Sequence, residues 1–263
     1  MTLFDVAVLG TIQGLTEFLP VSSKGHLLAA RYLFGIDDTG GLAFDAFLHL
    51  GTLVAVIVYY WPVWVGMLRA VFKNDEEGKS KRKLFAKLCI ATIPAALLGF
   101  LFEDILTGYL RNPHLLVGGF IFTALVLALF DHFARRQATI ARAGYKDALL
   151  IGVAQVLALL PGVSRSGMTM AAGRARGLSR EQAATFSFLM SAPIIAGTGL
   201  HSLSSLLQLT SLPPGYLLTG FITSCLCGLF AIDILLRIVK RASYTPFIIY
   251  LIIMAGMVFY VIR

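Results

Sequence analysis

Charge is scarce in this chain of 263 residues: 14% of it is Asp, Glu, Lys or Arg, against about 25% in soluble domains, while 57% is hydrophobic. With a mean hydropathy of +0.81, that scarcity excludes an ordinary soluble domain and makes the chain a polytopic membrane protein, for which one membrane domain is enough. Acidic residues are scarcer still, 14 against 22 basic ones. The resulting net charge of +8 does not call for nucleic acid as a partner, because the basic residues fall between apolar runs, where they set topology. Cysteine is nearly absent: Cys89, Cys225 and Cys227 sit in apolar runs without the spacing of a disulfide framework or a zinc site, and they read as packing residues. The N-terminus lacks the basic n-region and the small-residue cleavage site of a removable signal peptide, its first charge being Asp5, so it is expected to stay in the mature chain.

Two of the apolar stretches also lack uninterrupted length. Leu3 to Phe34 is broken at Pro20-Val21-Ser22-Ser23-Lys24-Gly25, and Ala148 to Gly177 is broken at Pro161-Gly162-Val163-Ser164-Arg165. A crossing of about 30 Å needs about 20 apolar residues, so each arm falls short and each stretch reads as a re-entrant helix–loop–helix, its irregular tip at membrane depth and shielded by protein. Between and after them come six runs long enough to cross: Leu42–Trp61, Leu84–Phe102, Leu115–Phe133, Ala183–Leu207, Tyr216–Leu236 and Pro246–Ile262. Basic residues gather in the loop Arg69 to Lys87, at Arg135, Arg136, Arg142 and Lys146, at Arg174, Arg176 and Arg180, and at Arg237, Lys240 and Arg241. By the positive-inside rule these are cytoplasmic, and the turns with Glu103 and Asp104 and with Thr210 to Gly215 lie outside.

Each half therefore holds one re-entrant pair and three crossings. Three is odd, so the halves point opposite ways. The expected fold is all-α, with six transmembrane helices and two re-entrant pairs in an inverted-topology repeat, repeat 1 about 1–134 and repeat 2 about 147–263. Locally, Gln13-x-x-x-Glu17-Phe-Leu-Pro20-Val-Ser-Ser23-Lys24 parallels Gln155-x-x-x-Leu159-Leu-Pro161-Gly-Val-Ser164-Arg165 with a slip of one residue. Entering from opposite faces, the two tips can meet near the midplane.

The tips carry the chemistry. An intramembrane arginine costs roughly 2.5–3.5 kcal/mol on insertion scales, so Arg165 needs compensation. Pro161 cannot continue a helix, Gly162 relaxes the backbone, and Ser164 and Ser166 can cap a new helix starting near Gly167. Free N–H groups at a positive helix end then face the same spot as the guanidinium, which is the physics of a phosphate site. The bland reading is a polar kink bonded to nearby carbonyls. In the first tip Gln13 and Glu17 share a helical face, and Ser22, Ser23, Lys24 and His26 follow the break. Carboxylate, hydroxyl and imidazole can supply a base or metal ligand, a nucleophile and a proton shuttle. Read blandly, the serines cap the second arm, His26 bonds a carbonyl and Glu17 pairs with Arg165. Glu17 has Leu159 as its counterpart and Arg165 has Lys24, so one half looks built to bind phosphate and the other to act on it. Asp45 and His49, four apart, are candidates for a supporting role, and Ser187, Ser191 and Pro193 for bending a span around the site.

The run Gln13-Gly14-Leu15-Thr16-Glu17-Phe18-Leu19-Pro20-Val21-Ser22-Ser23-Lys24-Gly25-His26, together with Pro161-Gly162-Val163-Ser164-Arg165-Ser166-Gly167-Met168-Thr169 and Phe186-Ser187-Phe188-Leu189-Met190, resembles the undecaprenyl-pyrophosphate phosphatase family, also called bacitracin-resistance proteins. The resemblance covers the whole chain. It implies an integral-membrane phosphatase of six spans and two re-entrant pairs in the bacterial cytoplasmic (inner) membrane; the polar pocket formed by the two tips is expected to open toward the extracytoplasmic side. The implied reaction takes undecaprenyl pyrophosphate to undecaprenyl phosphate, recycling the lipid carrier of cell-wall precursors with a divalent cation, Mg2+ or Ca2+. Carried over, Glu17 is the acidic residue of a (Glu/Gln)-x-x-x-Glu motif with Gln13 in its first position, Ser23 and His26 match the family's serine and histidine, and Ser164, Arg165 and Thr169 match its phosphate-binding residues. Lys24 departs from the expected Thr or Ser, and Gln13 leaves Glu17 without a second carboxylate as a metal ligand.

The expected mechanism has Arg165, the Ser164–Gly167 amides and Thr169 holding the pyrophosphate while its tail stays in lipid, with Ser164, Ser166, Gly162, Lys24 and Gln13 also expected among the substrate-binding residues. Ser23, or a water oriented by Glu17 and the cation, attacks the terminal phosphorus, and His26 transfers the proton. The rival class is a secondary transporter or flippase for an anionic solute or prenyl phosphate, because inverted repeats with broken helices are a common transporter design. A homodimer is left open.

Overall fold

Apolar runs in lipid must satisfy their backbone N–H and C=O groups internally, which favours helices. The computed structural model describes residues 1–38, 40–102, 113–133, 137–201 and 212–262. Among them are eleven α-helices: α1 Leu3–Phe18, α2 Ser23–Phe34, α3 Gly41–Tyr59, α4 Trp61–Arg69, α5 Glu76–Leu101, α6 Pro113–Phe133, α7 Tyr145–Val156, α8 Arg165–Ala175, α9 Arg180–His201, α10 Pro214–Arg241 and α11 Thr245–Ile262. Six are long and apolar enough to cross a membrane: α3, α5, α6, α9, α10 and α11. The chain is thus an all-α polytopic membrane protein. Its two short-armed pairs are α1/α2 and α7/α8, broken where proline and serine interrupt the apolar runs. At 1.5 Å per residue the 16-residue α1 and the 12-residue α2 are each shorter than a bilayer core.

Three boundaries differ from expectation. The run Leu42–Trp61 ends two residues early, at Tyr59, and Pro62 lies in the first turn of the short helix α4. The basic stretch 69–87 is largely helical, because Asp75 caps α5 through Gly78 N at 2.7 Å and Glu76 and Glu77 occupy its first turn. The helix after the second break begins at Arg165, two residues before the expected start, with Ser164 as its cap. The turn residues Glu103, Asp104, Thr210 and Ser211 and the basic residues Arg135 and Arg136 lie outside the described residues. The three cysteines are free thiols, Cys89 exposed and Cys225 and Cys227 partly buried.

The packing is reciprocal between the halves. The most extensive pairing is α1 on α10, and its counterpart is α7 on α5; α11 pairs with α6 and α3 with α10. Small residues make these contacts, as expected where lipid offers no hydrophobic drive and close backbone approach must supply the attraction. A Cβ at Gly14 would lie 2.5 Å from Ser224 O, and one at Gly152 would lie 2.3 Å from Ala91 O, so neither position admits a side chain without separating the helices. Between the halves, Phe18 meets Phe188 edge-on with ring centroids 5.3 Å apart. The helix α6 underlies both tips: Phe120 packs on His26, and Thr123 Oγ1 accepts Ser164 N at 3.1 Å.

Candidate active site

Each tip is held in a conformation its sequence requires. In the second, Gly162 has φ +78°, a left-handed value that favours glycine, and an added Cβ would lie 2.5 Å from Leu116 O. In the first, Ser22 is the one described non-glycine residue with positive φ, at +74°. Such a backbone costs about 1–3 kcal/mol and persists only where its surroundings impose it. Here the Ser22 carbonyl accepts His26 N at 3.1 Å and lies 2.8 Å from His26 Nδ1, so the histidine one turn on fixes the bend. Ser22 makes no side-chain cap. The bend places Ser23 at the start of α2, turned back toward the end of α1.

There Glu17, buried, collects partners from both halves. Its Oε1 accepts Arg165 Nη2 at 2.6 Å, and its Oε2 accepts Ser23 Oγ at 2.6 Å and Gln13 Nε2 at 3.1 Å. His49 Nε2 stands 3.4 Å from the same Oε2. His49 Nδ1 donates to the Asp45 carbonyl at 2.7 Å, which holds the ring in this position, and the close ion pair of Glu17 is the one with Arg165. An ion pair of this kind is costly to break from one side, since removing either partner strands a buried charge. Arg165, with 16% of its side chain accessible, also donates through Nη1 to Ser187 O at 3.2 Å.

The remaining second-tip residues build the loop. Ser164 Oγ accepts Gly167 N at 3.0 Å and lies 3.1 Å from Ser166 Oγ. Ser166 Oγ donates to Leu19 O at 2.8 Å, fastening the second tip to the first. Thr169, buried, bonds carbonyls of its own helix and lies 2.7 Å from Ser187 Oγ, beneath Arg165. Lys24 is exposed and, among the described residues, makes no hydrogen bond or ion pair, so its ammonium is a cation at the rim.

The structure therefore brings Gln13, Glu17, Ser23 and Arg165 into direct contact. It seats Ser164, Ser166, Thr169 and Gly162 around Arg165 as loop and support, with Lys24 at the edge. His26 is not brought to Glu17. Its Nε2 is 2.8 Å from Tyr250 OH, and its ring stacks on Tyr250 at 10° with centroids 5.4 Å apart. The imidazole beside the carboxylate is His49, whose spacing from Asp45 was its one signal in the sequence. Asp45 itself turns to the buried Arg31, accepting Nη2 at 2.6 Å. Tyr250 and Thr123 gave no signal, being single polar groups in apolar spans.

For a divalent cation the donor set is small. No group of three or more His, Cys, Asp or Glu gathers among the described residues. Gln13 Oε1, however, is buried without a hydrogen-bond partner, beside Glu17. A carboxylate and an unpartnered amide oxygen are hard donors, which suits an Mg2+-like ion that takes its remaining ligands from water and substrate phosphates. Arg165 and Ser23 each bond Glu17, so a guanidinium, a hydroxyl and a carboxylate stand in hydrogen-bond contact, groups suited to binding a phosphate and moving a proton.

Residues 6–257 match the family model described as Bacitracin resistance protein BacA. The chain is 43% identical over 258 residues to a protein of Desulforudis audaxviator named undecaprenyl-diphosphatase, covering 97% of this chain and 95% of that one. It is 42% identical over 273 residues to a protein of the same name from Caldicellulosiruptor bescii, covering 100% and 99%, and 41% identical to one from Pelotomaculum thermopropionicum, covering 95% and 93%.

Proposed function

The chain belongs to the bacitracin resistance protein family, and from that premise and the joined tips we propose that it is an integral-membrane undecaprenyl-diphosphatase. It hydrolyses undecaprenyl pyrophosphate to undecaprenyl phosphate and inorganic phosphate, recycling the lipid carrier. The observation that carries the chemistry is the 2.6 Å pair of Glu17 and Arg165, with Ser23 on the other carboxylate oxygen at 2.6 Å.

In the resting site Arg165 is occupied by Glu17. The pyrophosphate exchanges with that carboxylate: its terminal phosphate takes the guanidinium, while Lys24 adds a second cation from the rim. Arg165 stays aimed because Ser187 O holds its Nη1 from behind. Glu17, released from Arg165, keeps its contact with Ser23 and takes the hydroxyl proton as Oγ attacks the terminal phosphorus. The P–O bond of the anhydride breaks, undecaprenyl phosphate leaves with the bridging oxygen, and water then releases phosphate from the serine. A divalent cation, held by Glu17 and Gln13 Oε1, would neutralise charge on the phosphate oxygens. His26 acts through the backbone, keeping Ser22 and hence Ser23 in place. We place the site on the extracytoplasmic side of the bacterial inner membrane, in line with the basic loops on the opposite face.

The test is phosphate release from undecaprenyl pyrophosphate by the purified protein in detergent, with acid quenching during turnover. A phosphorylated Ser23 peptide, absent in Ser23→Ala, is the expected result. Turnover with no phosphoserine, and partial activity in Ser23→Ala, would give the attack to water and leave Ser23 to orient it.

A further inference from the structure

Away from the joined tips, on the face where the basic residues gather, α6, α9 and α11 end around a cavity of about 490 Å3 lined by Ala128, Asp131, His132, Arg180, Ser243, Thr245 and Ile248. Its charged part is built around one carboxylate. Asp131, buried, receives Arg180 Nε at 2.6 Å and faces Arg174 Nε at 3.8 Å on the same oxygen, while its other oxygen accepts Tyr244 N at 3.0 Å. Two arginines thus share one carboxylate, and the adjacent Glu181 is taken by Lys240 at 3.1 Å. Because Arg180 is tethered through Nε, its two terminal amino groups have no partner among the described residues, and 30% of the side chain is accessible. A guanidinium presented this way is a fork for two oxygens of one anion.

The rest of the lining names the anion. Ser243 and Thr245 place hydroxyls at the mouth, where Ser243 Oγ donates to Thr245 Oγ1 at 2.7 Å and leaves the Thr245 proton for a ligand, and one helical turn inward from Asp131 and Thr245 the wall becomes Ala128 and Ile248. The cavity therefore passes from cation and hydroxyl to apolar side chain over about 5 Å along helices of membrane-crossing length. We propose that it is a binding site for a phosphate group carried by a membrane lipid, with the headgroup on Arg180 and the hydroxyls and the first acyl carbons along Ala128 and Ile248. The same recognition chemistry would serve a free phosphate. Arg165 is not part of it, so the proposal does not depend on how the joined tips work.

Native mass spectrometry of the purified protein tests it, with three additives: phosphatidylglycerol, a galactosyl diacylglycerol that has no phosphate, and inorganic phosphate. Retained phosphatidylglycerol should fall roughly tenfold in Arg180→Gln, the size expected for losing one charge-assisted fork. It should fall similarly in Ala128→Leu, which puts three more carbons where the first acyl carbons would lie and leaves the Arg180–Asp131 pair intact, and persist in Arg165→Ala. Inorganic phosphate retained by the wild type and lost in Ala128→Leu, with no lipid retained, would make the ligand a soluble phosphate. Equal retention of phosphatidylglycerol by the wild type and Ala128→Leu, or of the phosphate-free lipid and phosphatidylglycerol, would overturn the proposal.

Discussion

Glu17 and Arg165 are separated by 148 residues of sequence and by 2.6 Å in space. Each comes from a broken tip in a different half of the chain, and each is the residue that its own tip cannot explain. The pair therefore works as one unit. Glu17→Gln and Arg165→Gln should each lower kcat/KM by about 10²–10⁴-fold, while the double variant should fall well short of the product of the two losses. A double-mutant cycle on phosphate release reads this directly, and strict multiplicativity would separate the two residues into independent roles.

Gln13 supplies an unpartnered oxygen beside Glu17. Gln13→Glu adds a second carboxylate there, and the concentration of Mg2+ giving half-maximal activity should drop by several-fold. Gln13→Leu should raise it. A metal titration in which neither variant moves the midpoint would place the cation elsewhere.

His26 is bonded to Ser22 and Tyr250 rather than to the reacting groups. Its loss should release the strained Ser22, so His26→Ala lowers both the melting temperature and kcat. Tyr250→Phe, which removes one bond and keeps the stacked ring, should cost less than about 2 kcal/mol of stability and leave kcat within tenfold. His49→Gln should lower kcat without a comparable fall in melting temperature, because it removes a partner of Glu17 and leaves the bend intact. The reverse pattern would return the imidazole role to His26.

Gly162→Ala combines a positive φ with a Cβ 2.5 Å from the Leu116 carbonyl. Backbone strain and overlap each cost about 1–3 kcal/mol, so this one-carbon change should destabilise the protein more than most surface substitutions. Thermal melting in detergent measures it.

Outside the membrane-spanning helices, Asp147 holds its carboxyl below the usual range. Burial works against this, but the Gly144 N–H and the Arg176 guanidinium outweigh it. A carboxyl with a lowered folded-state value adds stability above its unfolded value, near pH 4, and loses it as pH falls through the folded one. Arg176 is 45% exposed, so the contribution is under about 1 kcal/mol. Asp147→Asn should lower the melting temperature slightly at pH 7, and the difference should vanish on acidification below pH 4.

The breaks were legible because proline, serine and a membrane-embedded arginine have few other uses in an apolar run. The meeting of the tips was legible from charge and parity, and the pairing of Glu17 with Arg165 was legible only as the bland alternative, an ion pair that spares each the cost of standing alone. His49 was only half legible: a histidine four residues from an aspartate at a helix end has many meanings until a neighbouring helix supplies Glu17. The support of Arg165 by Ser187, and of Ser164 by Thr123, depends on which helix packs on which. That is decided by glycine and alanine contacts such as Gly14 on Ser224, where the informative feature is a missing side chain. The early start of α5 turned on one capping aspartate outweighing the charge that follows it.

Because α6 carries Phe120 under the first tip and Thr123 under the second, the gap between the tips is measured along one helix, from residue 120 to residue 123, less than a single turn. The carboxylate and the guanidinium are thus both referred to one short stretch of backbone, so a shift of α6 along its own axis would carry both tips together.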